Sequence, residues 1–350
     1  MVTMKNLFKI TMPVILVMIL ASLLPGIFPC VDTAQFKGNY RIPYSQGENY
    51  FLYEKYINRV ASSGRIAVIG DSVIWGHYTG SDDNLVATLN ASAGTDRFAN
   101  IGIDGIHPAA LYGLIDNYCA SLSNRRVIIG INLLWMSSPR HDLSGGVNTS
   151  INHSALLSQV PGRIPAYSPS VEERLTLLAR RKITLFAWID HIRASRFADR
   201  SVYRWTMANP RACPGEYLAG QEESYTPPDP VQPDRMTGRD MDWVMPADSL
   251  QWMYMIKSIR KLKTRGNDVI AVITPFNRFM LTEKSRLERD MIISVIRETL
   301  SADGIPVIVP ELDKAEYYAD LSHPVAEGYS IMAMQLAENT LFAEFTGQHK

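Results

Sequence analysis

The sequence predicts an α/β fold, a parallel sheet flanked by helices. Three observations lead there. Short β-branched and apolar runs recur along the chain, amphipathic stretches of helical period separate them, and the first three runs stop at Gly or Asn before a turn.

The elements are taken in chain order. Lys5 and Lys9 precede 22 residues, Ile10 to Val31, that carry no charge, a length able to span a bilayer. Pro13 sits in a first turn, where proline is tolerated, and Pro25, Gly26 and Pro29 are expected to end the helix, leaving 18 residues from Leu7 to Leu24. No Ala-x-Ala pattern precedes a cleavage point, and Phe28 and Pro29 spoil a lipoprotein box before Cys30, so residues 1–34 read as an uncleaved anchor ahead of a cleaved signal segment. Lysines on the N-terminal side place that end in the cytoplasm and the remainder outside it.

Strands are expected at Arg65 to Gly70, Arg97 to Asn100 and Arg126 to Asn132, with helices at Asn84 to Leu89 and Pro108 to Ser121 between them. Residues 35–136 thus form the first part of the α/β domain. The pattern resumes in residues 249–350 with strands at Asp268 to Thr274 and Ile305 to Val309. Here the clearest helix runs from Thr282 to Leu300, with Leu287, Met291, Ile292, Val295 and Ile296 along one face, and a last helix covers Ala326 to Leu341. The sheet therefore has five strands.

Between the two parts, residues 137–248 break the alternation. They hold Gly145-Gly146, a proline-rich stretch from Pro210 to Pro246 and one helical segment from Val171 to about Phe197. A structureless loop of that length is unusual inside a compact domain, so the region reads as an inserted cap between strands 3 and 4. The helical segment mixes Leu175, Leu178, Ile183, Phe186 and Trp188 with Arg180, Arg181, Lys182, Arg193 and Arg196. It reads as a core-packing helix with solvated basic ends, or as one lying against a membrane surface.

Composition narrows the function. With 350 residues, 46% of them hydrophobic, the chain can bury a large core. Lys plus Arg equals Asp plus Glu at 35 each, so the broad basic field that tracks a phosphate backbone is absent and nucleic acid is not an expected partner. Of the three cysteines, Cys119 and Cys213 could pair in an oxidising compartment. No metal-ligand spacing occurs, and neither metal nor cofactor is expected.

Chemistry-bearing residues gather at the strand ends. Gly70-Asp71-Ser72 follows the first strand, Asn100-Ile101-Gly102-Ile103-Asp104-Gly105 the second, Gly130-Ile131-Asn132 the third and Asp320-Leu321-Ser322-His323-Pro324 the fifth. In an open parallel sheet these carboxyl ends share one crevice. A serine hydroxyl needs an adjacent base to attack, and His323 is the candidate base for Ser72. Asp320, three residues before it, can hold the imidazole in one tautomer. The oxyanion formed by attack needs fixed donors, for which the Ser72 and Gly102 amides and the Asn132 side-chain amide are suited.

These four blocks, in this order, resemble those of the SGNH, or GDSL-type, hydrolase superfamily. The resemblance covers about residues 65–135 and 250–341 and includes Glu327-Gly328-Tyr329 after the histidine. It implies a flavodoxin-like three-layer sandwich, a triad of Ser72, His323 and Asp320, and an oxyanion hole of Ser72, Gly102 and Asn132. Two features depart from the family pattern: Leu133 stands where an aspartate usually follows the asparagine, and compact secreted esterases lack the insertion and the anchor. In architecture the chain is similar to membrane-anchored SGNH proteins that work beside a membrane-bound O-acyltransferase on envelope polymers.

The expectation is therefore a single-pass protein of the cytoplasmic membrane with its catalytic domain outside. It would be a serine acyltransferase or O-acyl esterase acting, through an acyl-serine intermediate, on a cell-envelope polymer such as a glycan or teichoic-acid-like chain, its partners an envelope polymer or an acylated substrate. Alternatives are a tethered small-ester lipase and a non-catalytic glycan-binding scaffold. Trp75 and His77, just past Ser72, either line the pocket or pack, and His107 before Pro108 either contacts substrate or begins a helix. Asp71 is expected to hold the turn after Gly70. His141, His153, His191 and His349 read as exposed or internally satisfied.

Overall fold

A computed structural model describes residues 4–27, 36, 38–146, 151–160, 164–197, 200–211 and 238–347. In chain order its elements are α1 (Met4–Ile27), α2 (Tyr50–Ser63), β1 (Ile66–Gly70), α3 (Ser72–Trp75), α4 (Leu85–Ala93), β2 (Phe98–Gly102), α5 (Pro108–Tyr118), β3 (Arg126–Ile131), α6 (Val171–Lys182), α7 (Thr184–Phe197) and α8 (Val202–Ala208). They continue with α9 (Leu250–Thr264), β4 (Asp268–Ile273), α10 (Glu283–Ala302), β5 (Val307–Ile308), α11 (Ala326–Glu338) and α12 (Thr340–Thr346).

The five strands form one sheet in the order β2-β1-β3-β4-β5, and every pairing is parallel. This is the flavodoxin-like winding, with its switch point between β1 and β3. Both faces of the sheet are covered, which is why the strands read as unbroken apolar runs. Ala67, Ile69, Ile101, Val127, Ile129, Val269 and Ile273 face a core shared with α2, α5, α9 and α10. Ile66, Val68, Phe98, Ile128, Ile270 and Val272 face the opposite core, built on α3, α4, α11 and α12.

Five strands match the expected runs, with β5 trimmed to Val307–Ile308 at the sheet edge. Several helices differ from expectation. Pro25 lies inside α1, in its last turn, where the lost amide donor costs only one intrahelical bond. The face of α10 is rotated: Ser285, Arg289, Ile292, Ile296 and Leu300 are buried, whereas Leu287 and Met291 are 60% and 54% exposed. The segment from Val171 to Phe197 is two helices broken at Ile183, and only His191 and Ser195 are buried in it, so it is not a core helix. The final helix likewise divides at Asn339, which caps α12 through Phe342 N–H.

Part of the region expected as a cap is built into the domain itself. Leu143, Leu156, Leu157 and Ile164 are buried in the same core as α5, and the carbonyl of Leu156 would lie 1.8 Å from a Cβ placed on Gly113. Val244 N–H closes back on Met136 O at 2.9 Å. Cys119 is buried and its thiol is pushed up to about 12 by burial, while Cys213, its suggested partner, lies outside the described residues, as do Cys30 and His349.

Candidate active site

The turn that carries Ser72 is built by close backbone approach. A Cβ on Gly70 would lie 2.4 Å from Ile74 Cγ1, one on Gly130 2.6 Å from the same atom, and one on Gly102 2.3 Å from the Trp75 amide nitrogen. Three bare strand positions thus let α3 lie across the ends of β1, β2 and β3, with Gly70 and Gly102 paired in register. Asp71 caps α3 by accepting from Val73 N–H at 3.1 Å, as the turn requires. Gly76 ends the helix at φ +90, and Arg41 pins the segment from Trp75 to Thr79 by donating to the carbonyls of Trp75 (2.8 Å), Gly76 (2.7 Å) and Thr79 (2.6 Å). From the other side the Tyr329 hydroxyl donates to Val73 O at 2.8 Å.

His323 arrives on the loop after β5. That loop is tied to the end of β4, where Asn277 N–H donates to Leu321 O (2.8 Å) and Asn277 Nδ2 to Asp320 O (3.2 Å). Asp320 Oδ1 accepts the amides of Ser322 (2.8 Å) and His323 (2.9 Å), an Asx-type turn that carries the ring back over its own carboxylate. Nδ1 of His323 lies 2.7 Å from Asp320 Oδ2, and Nε2 lies 2.8 Å from Ser72 Oγ. Residues 72, 320 and 323 are therefore joined in one hydrogen-bonded chain at the carboxyl end of the sheet.

Electrostatics fit that chain. Burial works to lower the His323 pKa, but the hydrogen bond and charge of Asp320, with Asp71 and Asp104 behind it, outweigh burial and raise it above its ordinary value. Asp320 moves the other way: burial would raise it, and the His323 and Ser322 bonds bring it down. Asp71, fully buried, is raised by desolvation, with the donors from Asn132 and Trp135 opposing.

Of the expected oxyanion donors, two keep an N–H without a partner among the described residues. Ser72 N–H is the first amide of α3 and has no acceptor within the helix. Asn132 spends one Nδ2 hydrogen on Asp71 Oδ2 at 2.8 Å and keeps the other. Gly102 does not fit the role. Its amide donates to Asn100 Oδ1 at 2.9 Å, so what the position needs is the missing side chain against Trp75, not the N–H. Gly105, at φ +69 in the next turn, carries an amide that donates to nothing among the described residues. After Asn132 the chain forms a short 3-10 turn, Leu133–Met136, and Trp135 Nε1 donates to Asp71 Oδ2 at 2.9 Å, so the turn at Leu133 is held by an indole.

The residues expected as substrate-lining separate. Trp75 packs: it is buried, donates Nε1–H to Ile42 O at 2.7 Å and stacks under Arg41 at 3.9 Å. His107 is the N-cap of α5; its Nδ1 accepts Ala110 N–H at 3.3 Å, and burial pushes its pKa down to about 3, so it is a neutral structural group. Of the three, His77 alone stands beside the Ser72–His323 pair, its ring centroid 5.0 Å from that of His323. Sequence reading did not find Arg41, or Tyr78, whose ring meets His323 edge-on at 5.4 Å from an uncommon backbone at φ +70. A non-glycine residue held at positive φ is a signal only coordinates provide.

His153 and His191 are satisfied internally, by Tyr50 Oη (3.0 Å) and Asp104 O (2.8 Å) and by Asn49 (2.9 Å), and His141 by Ser137 Oγ (2.8 Å). Among the described residues no group of three or more His, Cys, Asp or Glu side chains is placed to hold a metal ion. The chain matches no known family model and no curated protein.

Proposed function

We propose that the protein is a serine acyltransferase or O-acyl esterase of the SGNH type, working on an acylated polymer of the cell envelope. The observation that carries this reading is the chain from Ser72 Oγ through both His323 nitrogens to Asp320, at 2.8 and 2.7 Å. In the mechanism it supports, Ser72 Oγ attacks the acyl carbonyl while its proton passes to His323 Nε2. Asp320 stabilises the imidazolium. The oxyanion is met by Ser72 N–H and the second Asn132 hydrogen. The imidazolium then protonates the departing alcohol, leaving acyl-Ser72, and an acceptor hydroxyl or water reverses these steps with His323 again as base.

Placement outside the cytoplasmic membrane rests on the uncharged stretch from Ile10 to Val31 behind Lys5 and Lys9. Among the described residues no helix is long and apolar enough to cross a membrane. The apolar side chains of α1 nevertheless face solvent, Val17 and Ile27 at 63% exposure each, which supports burial by something other than this domain. An envelope polymer as substrate and a membrane-bound O-acyltransferase as donor partner are what the similarity in architecture to membrane-anchored SGNH proteins implies.

The test is mass spectrometry after brief incubation with an activated acetyl ester. An acetyl adduct on Ser72 is expected, together with ester turnover that Ser72→Ala lowers by roughly 10⁴-fold or more. Turnover that survives Ser72→Ala, with no adduct in the parent protein, rules the reading out.

A further inference from the structure

A second imidazole–carboxylate pair stands beside the first. Nδ1 of His77 lies 2.6 Å from Asp104 Oδ1, a close contact without the angle of a hydrogen bond, and neither atom, both shut off from water, has a hydrogen-bond partner among the described residues. In the tautomer whose Nδ1 hydrogen faces the carboxylate, the ring presents a lone pair at Nε2. Nε2 bonds nothing among the described residues, and the His77 side chain is 27% exposed, whereas that of His323 is 11% exposed. The pair is rigidly mounted at both ends. His77 N–H donates to Ser72 O at 2.9 Å, and Asp104 O accepts from His153 Nε2 at 2.8 Å.

The serine mechanism leaves this pair without a task. His323 already serves as base for both half-reactions, and Asp320 already fixes its tautomer. An imidazole lone pair beside the His323 ring, with a carboxylate against its other nitrogen, is suited to a hydroxyl donor on the molecule that enters next to the acyl-serine. Asp104 also forms part of the wall of a cavity of about 380 Å³, shared with Glu48, Asn152, Arg181 and Arg193, within the size of small-ligand sites. The charged and amide groups on that wall offer hydrogen-bond partners to a hydroxylated chain that an apolar alcohol would not use.

Resting on the acyl-serine reading above, we propose that His77, oriented by Asp104, accepts a hydrogen bond from a second hydroxyl of a polyhydroxylated acceptor and so holds its neighbouring hydroxyl for attack on acyl-Ser72. Water has no second hydroxyl to offer, so the pair shifts the acyl-enzyme from hydrolysis toward transfer. Asp104 acts through the ring and is a positioning residue.

The full chain, acetylated by an activated ester, is allowed to partition between water and methyl glucoside as the acceptor probe. The ratio of acetyl glucoside to acetate refers to one common acyl-enzyme, so a change in acylation rate or in folded fraction does not move it. His77→Phe is expected to lower the ratio about tenfold, the worth of one hydrogen bond. Asp104→Asn is expected to lower it as well, because a carboxamide N–H facing Nδ1 drives the proton to Nε2 and turns the acceptor into a donor. The double variant falls no further than His77→Phe, since both act through one ring. A ratio unchanged in His77→Phe, fully additive losses, or no glucoside product from the parent protein overturns the proposal while acyl-Ser72 still forms. Absence of acyl-Ser72 in the parent defeats the underlying reading first, and this proposal with it.

Discussion

At the scale of single residues the decisive group is His323. In the proposed mechanism it must be neutral to accept the Ser72 proton, and its carboxylate neighbours raise its pKa against burial. The sign follows directly: a base with a raised pKa is protonated and inactive over a wider acid range. The acid limb of kcat/KM is therefore expected to have its midpoint above the ~6.5 of an ordinary histidine. Asp320→Asn removes the largest stabiliser of the imidazolium, so the midpoint should move to lower pH while the rate on the plateau drops by roughly 10³–10⁴. A pH–rate profile of both forms is the check, and an acid limb that stays in place in Asp320→Asn would falsify the coupling. Serine, aspartate and histidine were readable in the sequence because the Gly-Asp-Ser and Asp-x-x-His spacings are local. The engagement of the Gly102 amide was not, since it depends on where the Asn100 side chain turns, and the capping role of His107 depends on the packing around α5.

At the scale of elements, the site exists because α3 lies almost on the backbone of three strands. Ala at position 102 would put a methyl 2.3 Å from the Trp75 amide nitrogen, and both the strand and α3 are fixed by their own hydrogen bonds. Neither side can yield by turning a flexible side chain. Gly102→Ala is therefore expected to destabilise the fold by about 1–3 kcal/mol, and to displace Ser72 so that its labelling by a fluorophosphonate slows more than unfolding alone explains. Thermal melts and labelling rates read the two effects separately, and unchanged labelling in the folded fraction would show that α3 has room to spare. The strands were legible because burial on both faces leaves runs such as Ile66 to Gly70 wholly apolar. Helix α2 was not expected: Tyr50, Phe51, Tyr53 and Tyr56 are of the type enriched in strands, and the Asn49 cap on Leu52 N–H marks its start. The rotation of α10 escaped notice because buried Arg289, paired with Asp290 at 3.1 Å and Glu311 at 3.7 Å, takes a place that hydropathy gives to solvent.

At the scale of the whole molecule, the α/β domain is complete without α1. The buried core begins at Phe36 and closes with Phe342, and no described side chain of α1 belongs to it. On α1, by contrast, Ile15, Leu16, Met18, Ile19, Leu20 and Leu23 are each more than half exposed, a face that water penalises at roughly 25 cal/mol per Å² and that a bilayer would relieve. Removal of residues 1–34 should therefore leave the melting temperature within about 3 °C, since a change of 1 kcal/mol would already move it by roughly 2–4 °C in a chain of this size. The same removal should abolish flotation with phospholipid vesicles, while the truncated protein still forms acyl-Ser72 from an activated ester. A markedly lower melting temperature would make α1 a structural part of the domain. Flotation that persists would shift membrane contact to the exposed apolar and basic side chains of α6 and α7, such as Leu175, Ile189 and Arg180, which then take over the role assigned to the N-terminal segment.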